Sequence, residues 1–361
     1  MNRFEPIDCH VHPGGLDALD ALRALRRGLG FAAMNLACIV NPRTGSGHTV
    51  GLCAKAAEPG HFYCFGGLHH AAKASEGKVF APPLAEQLDN LLAAGCDGVK
   101  LIEAKPTGRV APLDGPYFAD FFARAEALQV PLLWHVADPE EFWDPATTPE
   151  WARKHNWGYG PQTVPKERLY AEVEAVLNRH ARLRVVFAHF YFLSADLKRA
   201  ADFLARHPSV NLDLAPGVEM LFNMSRDPEA ARAFFIKHQG RILFGTDIWA
   251  AQPLAQAAAR AGIVREFLEG DRTFTVPAEA DELLEPGGSK PICGLNLPKA
   301  ALEKIYRGNF EALAGREPKP VNLAAAQEEC RRNTALAAAI SGLAPDQTDS
   351  AKCLKFLARA G

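Results

Sequence analysis

No run of about 18 apolar residues occurs in the 361-residue chain, and its opening MNRFEPIDCHVHPGG lacks the apolar centre of a secretory signal. The expectation is a cytoplasmic protein that does not span a membrane. Charge of one sign is missing too. Forty Lys+Arg stand against forty-two Asp+Glu, a net −2, so no strong field exists to gather nucleic acid or anionic lipid. Among eight cysteines there is no C-x-x-C pair, and several sit inside apolar runs, which suits reduced, buried thiols better than disulfides or a cysteine-built zinc site. No G-x-G-x-x-G follows the first strand and no G-x-x-x-x-G-K-[ST] occurs, so nucleotide sites of those two kinds have no support.

What is present is 48% apolar and 23% charged residues, enough to bury a large core. Short β-type runs alternate with helical patterns such as LDALDALRALRRG and SADLKRAADFLARH. Eight strands are predicted near 7–12, 31–40, 62–68, 98–103, 130–137, 183–190, 210–215 and 241–247. Eight β-α steps in about 270 residues match a closed (β/α)8 TIM barrel better than an open doubly wound sheet. The barrel is expected over residues 1–315. A helical extension, 316–361, is expected to pack on it or at a contact between subunits of a homo-oligomer. The segment from Asp138 to Pro165 is too long for an ordinary βα loop and carries Trp143, Trp151 and Trp157. It reads either as a substrate lid or as a surface loop whose aromatics pack on the rim. A second excursion, 270–298, precedes a closing helix near 298–313.

The local feature with most chemical content is Asp8-Cys9-His10-Val11-His12. Side chains alternate along a strand, so His10 and His12 point the same way, roughly 7 Å apart at Cα, with Cys9 and Val11 facing the helices. Two such imidazoles can close on one ion at about 2.0 to 2.1 Å. With 12 histidines in 361 residues, one H-x-H is expected by chance at order ~0.4, so position matters more than the motif. The motif ends the first strand, and in this fold strand C-termini carry the active site. His135 in VPLLWHVAD, His189 in LRVVFAHFYF and Asp247 in RILFGTD end apolar runs in the same manner. A lone strand histidine is ordinarily a satisfied core residue, and a terminal Asp ordinarily caps a helix. Five such groups converging on one mouth point instead to a divalent cation that satisfies them together.

This order of residues, with RILFGTDI and the late KIYRGNFEALAG, resembles the amidohydrolase superfamily and, more narrowly, the amidohydrolase-related (amidohydrolase 2) family over roughly residues 5 to 315. The resemblance implies one or two divalent metals, usually zinc, and a metal-activated water as attacking group. It implies His10, His12, His135 and Asp247 as ligands of a single ion, with His189 hydrogen-bonding substrate or moving protons. Lys100 in DGVKLIEAK resembles the lysine that is carboxylated in binuclear relatives. In that case His135 and His189 serve the second metal. Otherwise Lys100 pairs with Glu103, Asp247 or a substrate carboxylate. Asp247 is then the general base, and His189 steadies the developing oxyanion. Arg43, His69, Tyr191 and Trp249 are weaker candidates for substrate contact. Arg43 reads equally as a solvated turn residue, and His69 as a residue serving its turn.

The expected function is hydrolysis of a C–N or C–O bond of a small molecule. Alternatives are a nonoxidative decarboxylase of a small aromatic or unsaturated carboxylic acid and, outside enzymology, a metal-binding barrel without activity.

Overall fold

A computed structural model describes residues 4–70 and 81–360; residues 1–3, 71–80 and 361 lie outside the described residues. The strands are β1 Ile7–His12, β2 Ala33–Ala37, β3 Phe62–Gly66, β4 Gly98–Ala104, β5 Pro131–Val136, β6 Arg184–Phe187, β7 Val210–Asp213, β8 Ile242–Leu243 and β9 Ile248–Trp249. All pair in parallel in the order β8-β7-β6-β5-β4-β3-β2-β1-β9. Strands β2, β3 and β5 are buried at every position, as expected where helices cover one face and a core fills the other. Their near-continuous apolar runs follow from that burial.

The helices around them are α1 Leu19–Gly28, α2 His48–Ala57, α3 Leu84–Ala94, α4 Pro116–Ala127, α5 Glu150–Lys154, α6 Lys166–Arg179, α7 Leu197–Arg206, α8 Val218–Met224, α9 Pro228–Lys237 and α10 Leu254–Glu269. Each barrel helix turns an apolar stripe to the sheet: Leu19, Leu22 and Leu25 in α1; Ala200, Phe203 and Leu204 in α7. Asp196 caps α7 by accepting from the Arg199 amide, which fixes where that helix starts.

The eighth strand of the barrel is broken. Ile242 and Leu243 pair with β7, Ile248 and Trp249 pair with β1, and Asp247 between them has φ +59°. The Cys9 amide donates to Phe244 O (3.0 Å) and the Asp247 amide to His10 O (2.9 Å), so β8 and β9 close the cylinder as one kinked strand. The buried Asp8 carboxylate latches the kink by accepting from the Thr246 amide (3.1 Å) and hydroxyl (2.5 Å). The protein is therefore an α/β barrel of the TIM type.

A large apolar cluster lies between sheet and helices. A smaller one draws Ile7, Tyr63, Leu133, Val186 and Leu243 from around the cylinder, with Phe310 and Leu313 against them. Cys9 belongs to this inner cluster rather than facing the helices with Val11. The β1–β2 register shifts between Asp8 and Val11, and that bulge interrupts the simple alternation read from the sequence.

Beyond α10, short strands β10 Thr273–Phe274 and β11 Ile292–Cys293 pair antiparallel. Helices α11 Lys299–Glu303 and α12 Asn309–Ala314 follow, joined by a π-turn at Lys304–Gly308. Helix α13 Leu323–Ser341 packs on α3 and α2, and α14 Asp349–Leu357 packs on α2. Glu329 of α13 reaches His48 Nε2 at 3.0 Å, so the C-terminal helices are tied to the barrel wall by polar as well as apolar contacts. Among the described residues no helix is long and apolar enough to cross a membrane.

Candidate metal centre

His10, His12 and Asp247 each present a donor atom, and these atoms lie within 4.8 Å of one another. The Nε2 atoms of His12 and His10 stand 3.1 and 3.5 Å from Asp247 Oδ1. Each ring is held by its other nitrogen: His10 Nδ1 donates to Asp213 Oδ2 (2.9 Å) and His12 Nδ1 donates to Ala37 O (2.8 Å). A backbone carbonyl only accepts, so Nδ1 of His12 carries the hydrogen; its Nε2 faces Asp247, donating to the carboxylate when it bears a hydrogen and offering a lone pair to a cation when it does not. Burial, then the neighbouring Lys100 charge, lowers the pKa of His10 and keeps it neutral. Two ring nitrogens therefore face a carboxylate oxygen across about one coordination sphere. That arrangement is relieved by a cation placed between them, and two imidazoles with one carboxylate suit zinc or a similar divalent ion.

Asp247 is the charged member. Burial works against its ionisation, but the His12 hydrogen bond and the imidazoles of His10, His12 and His189 hold its carboxyl well below the usual carboxylate range. Asp213 organises the opposite side, with Oδ2 on His10 and Oδ1 accepting from the His189 amide (2.7 Å) and the Ala215 amide (3.1 Å). Burial pushes its pKa up to about 6.

His189 lies past the end of β6, not within a strand reaching residue 190. His189, Phe190, Tyr191 and Phe192 take φ of 55, 55, 57 and 49° in succession, a left-handed turn that costs roughly 1–2 kcal/mol per residue. The two amides gathered by Asp213 and the Tyr170 hydroxyl donating to Tyr191 O (3.0 Å) hold it in place. His189 Nδ1 donates to Ala215 O at 3.0 Å, and burial followed by the nearby His135 lowers its pKa to about 3. A neutral ring in this tautomer accepts at Nε2. Donation from Nε2 to an oxyanion, the role expected from the sequence, would need a hydrogen on that nitrogen.

His135 lies beside His189, ring centroids 4.9 Å apart, but is not in the group of three. Its Nε2 is turned to Ala137 O (2.9 Å) and Asp138 Oδ1 (3.3 Å), leaving Nδ1 as its acceptor. Lys100 is buried with its Nζ 3.0 Å from His10 Nε2, and desolvation brings its pKa down to about 8. Glu103 is taken by His70 at 2.7 Å, so of the partners expected for Lys100 it is not the one adopted.

A cavity of ≈ 180 Å³ opens over these groups, with His12, Lys100, His135, His189 and Asp247 on its floor and Phe142, Trp151, Trp157, Phe192 and Leu283 among its walls. The segment after β5 thus supplies wall aromatics and also makes a small core of its own from Phe142, Ala152 and Tyr159. Two cations on the walls are already neutralised: Lys105 Nζ donates to Asp138 Oδ1 (2.5 Å), and Arg260 grips Asp281 with two bonds (2.5 and 2.8 Å).

The weaker candidates lie elsewhere. Arg43 is exposed in its turn. Tyr191 is buried against Phe187, Tyr170 and Phe203, and Trp249 flanks Arg260. His69 borders an adjoining cavity of ≈ 260 Å³, with its Nε2 engaged by Asn333 Oδ1 and its amide donating to Gln87 Oε1 (2.8 Å). Sequence reasoning missed Asp213, although VNLDLAP ends an apolar run with an acid just as RILFGTD does. It also missed the Lys105–Asp138 pair on the cavity wall, which only the fold brings together.

A family model described as amidohydrolase matches residues 7–315. The chain belongs to that family. No curated protein sequence matches this amidohydrolase. By structure it resembles an uncharacterised TIM-barrel protein from Bordetella bronchiseptica (TM-score 0.53, 16% identity, covering 87% of this chain and 99% of that one). A probable 2-pyrone-4,6-dicarboxylic acid hydrolase from Acinetobacter baumannii gives 0.52 at 14% identity, covering 86% and 100%. A 5-carboxyvanillate decarboxylase from Sphingomonas paucimobilis gives 0.50 at 16%, covering 86% and 99%. At such identities the likeness establishes the barrel shared by this amidohydrolase and its neighbours, which include both hydrolases and decarboxylases.

Proposed function

We propose that the protein is a metal-dependent hydrolase that cleaves a C–N or C–O bond of a small molecule held in the cavity above Asp247. The observation that carries this is the convergence of the His10 and His12 Nε2 atoms on Asp247 Oδ1 beside an aromatic-walled cavity. His10, His12 and Asp247 would hold the ion, with His135 and His189 beside them. A divalent ion there, zinc in the first instance, supplies Lewis-acid polarisation of a carbonyl and lowers the pKa of water from 15.7 to about 7.

Asp247 stays ionised throughout the neutral range, so it can accept a proton from an attacking water and return it to the leaving group. His189, presenting Nε2 as an acceptor, serves as a proton carrier or as a further ligand. Lys100 Nζ lies 3.0 Å from His10 Nε2, so an ion held by that nitrogen would require Lys100 to give up this contact. The aromatic segment after β5 limits access of bulk water to the floor.

Hydrolysis is preferred over decarboxylation because Lys105 and Arg260, the cations on the walls best placed to receive a substrate carboxylate, are already paired with Asp138 and Asp281. Zinc-loaded protein should turn over members of a panel of lactones, esters and amides, and lose that activity on chelation. Asp247→Asn should remain folded and lose about 10²–10⁴-fold in rate. Full turnover by that variant with metal retained overturns the role of Asp247. Carbon dioxide released from phenolic acids, with no turnover of the panel, replaces hydrolysis by decarboxylation.

A further inference from the structure

The carboxylate at the centre of the site hangs from a peptide that is held at both ends. Asp247 has φ +59°, a left-handed conformation that persists in a non-glycine residue only where its surroundings over-determine it. The plane of the 246–247 peptide and this φ together set the direction of the Asp247 Cα–Cβ bond. At one end of that peptide the Asp247 amide donates to His10 O at 2.9 Å. At the other, the Thr246 carbonyl accepts from Arg260 Nη1 at 3.1 Å. Asp8 accepts from the Thr246 amide and hydroxyl, so the residue before Asp247 is fixed as well.

Arg260 comes from α10 and is fully buried. Its Nε and Nη2 donate to the two oxygens of Asp281 at 2.5 and 2.8 Å, a fork that fixes the guanidinium plane and so aims Nη1. Asp281 is itself held in place. Its Oδ2 also accepts from Gln252 Nε2 (3.0 Å) and its Oδ1 from the Leu283 amide (3.2 Å). Arg260 and Leu283 both line the cavity, so the excursion after α10 is joined to the strand end that carries Asp247. A buried ion pair adds little stability over apolar side chains of similar volume, and an anchor for the excursion did not require one. Donation to the Thr246 carbonyl does require a donor, and a planar guanidinium serves Asp281 and this carbonyl at once.

We propose that Arg260, aimed by Asp281, is a positioning residue for Asp247: through the Thr246 carbonyl it fixes the 246–247 peptide and hence where the carboxylate points. The consequence for a bound ion rests on the reading of Asp247 as its ligand; the consequence for the peptide does not. Without the Nη1 bond the carbonyl end is free, the peptide can rotate, and the carboxylate loses its alignment with the Nε2 atoms of His10 and His12.

The test uses the full-length chain after chelator treatment, with Co(II) as the probe because its visible absorption reports the arrangement of its ligands. Arg260→Met with Asp281→Asn removes the donor without stranding a buried charge, and the asparagine can still accept from the Leu283 amide. Arg109→Met with Glu172→Gln does the same to a second fork, of 2.8 and 2.7 Å, that does not line the cavity. The Arg260 pair variant should bind Co(II) about 10- to 100-fold more weakly than wild type and with an altered spectrum, while the Arg109 pair variant matches wild type in both. Arg260→Lys, which keeps the charge beside Asp281 but loses the fork, should recover part of the affinity. In the metal-free protein, amide hydrogen exchange across residues 244–250 should be faster in the Arg260 pair variant and unchanged in the other. Wild-type affinity, spectrum and exchange in the Arg260 pair variant, or an equal loss of affinity in the Arg109 pair variant, overturns the proposal. No uptake of Co(II) by the wild type would count against the metal reading, and exchange across 244–250 would then decide the positioning by itself.

Discussion

Two clusters of buried histidines sit in this barrel. At the strand ends, His10, His12 and His189 each spend Nδ1 on a fixed acceptor; His12 and His189 line the cavity, and His10 Nε2 lies between Asp247 and Lys100 Nζ. Between α2, the end of β3 and α13, His48 and His69 turn Nε2 to Glu329 and Asn333, and Asn333 Nδ2 closes the group by donating to Glu329 Oε1 at 2.7 Å. Both clusters are buried and rich in charge. One turns Nε2 of His10 and His12 towards a shared carboxylate beside the cavity; the other spends both Nε2 atoms on Glu329 and Asn333 inside the protein, with His48 Nδ1 left buried and unpartnered. Burial of imidazole therefore says little about function; the destination of the second nitrogen says much more.

The sharpest way to break this distinction is to attack the closed cluster. Burial opposes the charge of Glu329, yet the His48 hydrogen bond and charge, Arg332 and Asn333 bring its pKa down to about 2 from an ordinary 4.5. Glu329→Gln should cost about 3 kcal/mol in urea unfolding while leaving metal content unchanged. The pH dependence has a definite sign. A depressed folded-state pKa contributes stability above pH 4.5 that is lost as pH falls towards 2, so between pH 6 and pH 3 the wild type should lose more stability than the variant. Loss of bound metal in Glu329→Gln would erase the contrast between the clusters.

A smaller effect is expected at Asp213. Its Oδ1 already accepts two backbone amides, so in Asp213→Asn the oxygen must stay there and the amide nitrogen must face His10. His10 would then carry its hydrogen on Nε2, the wrong tautomer for a ligand, and metal affinity should fall about 10- to 100-fold in a competition titration. Undiminished affinity would show that the ring orientation does not depend on Asp213. The least effect belongs to Arg43, exposed in its turn and absent from the cavity walls. Arg43→Ala should change stability by no more than about 0.5 kcal/mol and leave metal content and turnover as they are.

The barrel was legible because parallel strands buried on both faces leave apolar runs, and amphipathic helices leave a 3.6-residue rhythm between them. The trio of His10, His12 and Asp247 was legible because each residue closes such a run. Three features were not. The bulge that turns Cys9 inward breaks a period of two without leaving a glycine to mark it. The left-handed turn at His189 is built from four residues with no local preference for that region and is imposed by Asp213 and Ala215 from the neighbouring strand. Glu219 is one glutamate among many by sequence, and the burial of both its oxygens is a property of the assembled fold. His69 reads as a mouth residue until Asn333, 264 positions later, is brought against it.

The kinked seam between β1 and β9 has a consequence for how the protein is made. Val11 meets Ile248, and the carboxylate that completes the trio is borne by the very residue that bends the last strand into place. An N-terminal fragment that stops short of residue 247 has two of the donors and nothing to join them to, whatever structure its first seven strands attain. A nascent chain would therefore lack the complete set of three donors until Asp247 has emerged and the last strand has sealed the cylinder.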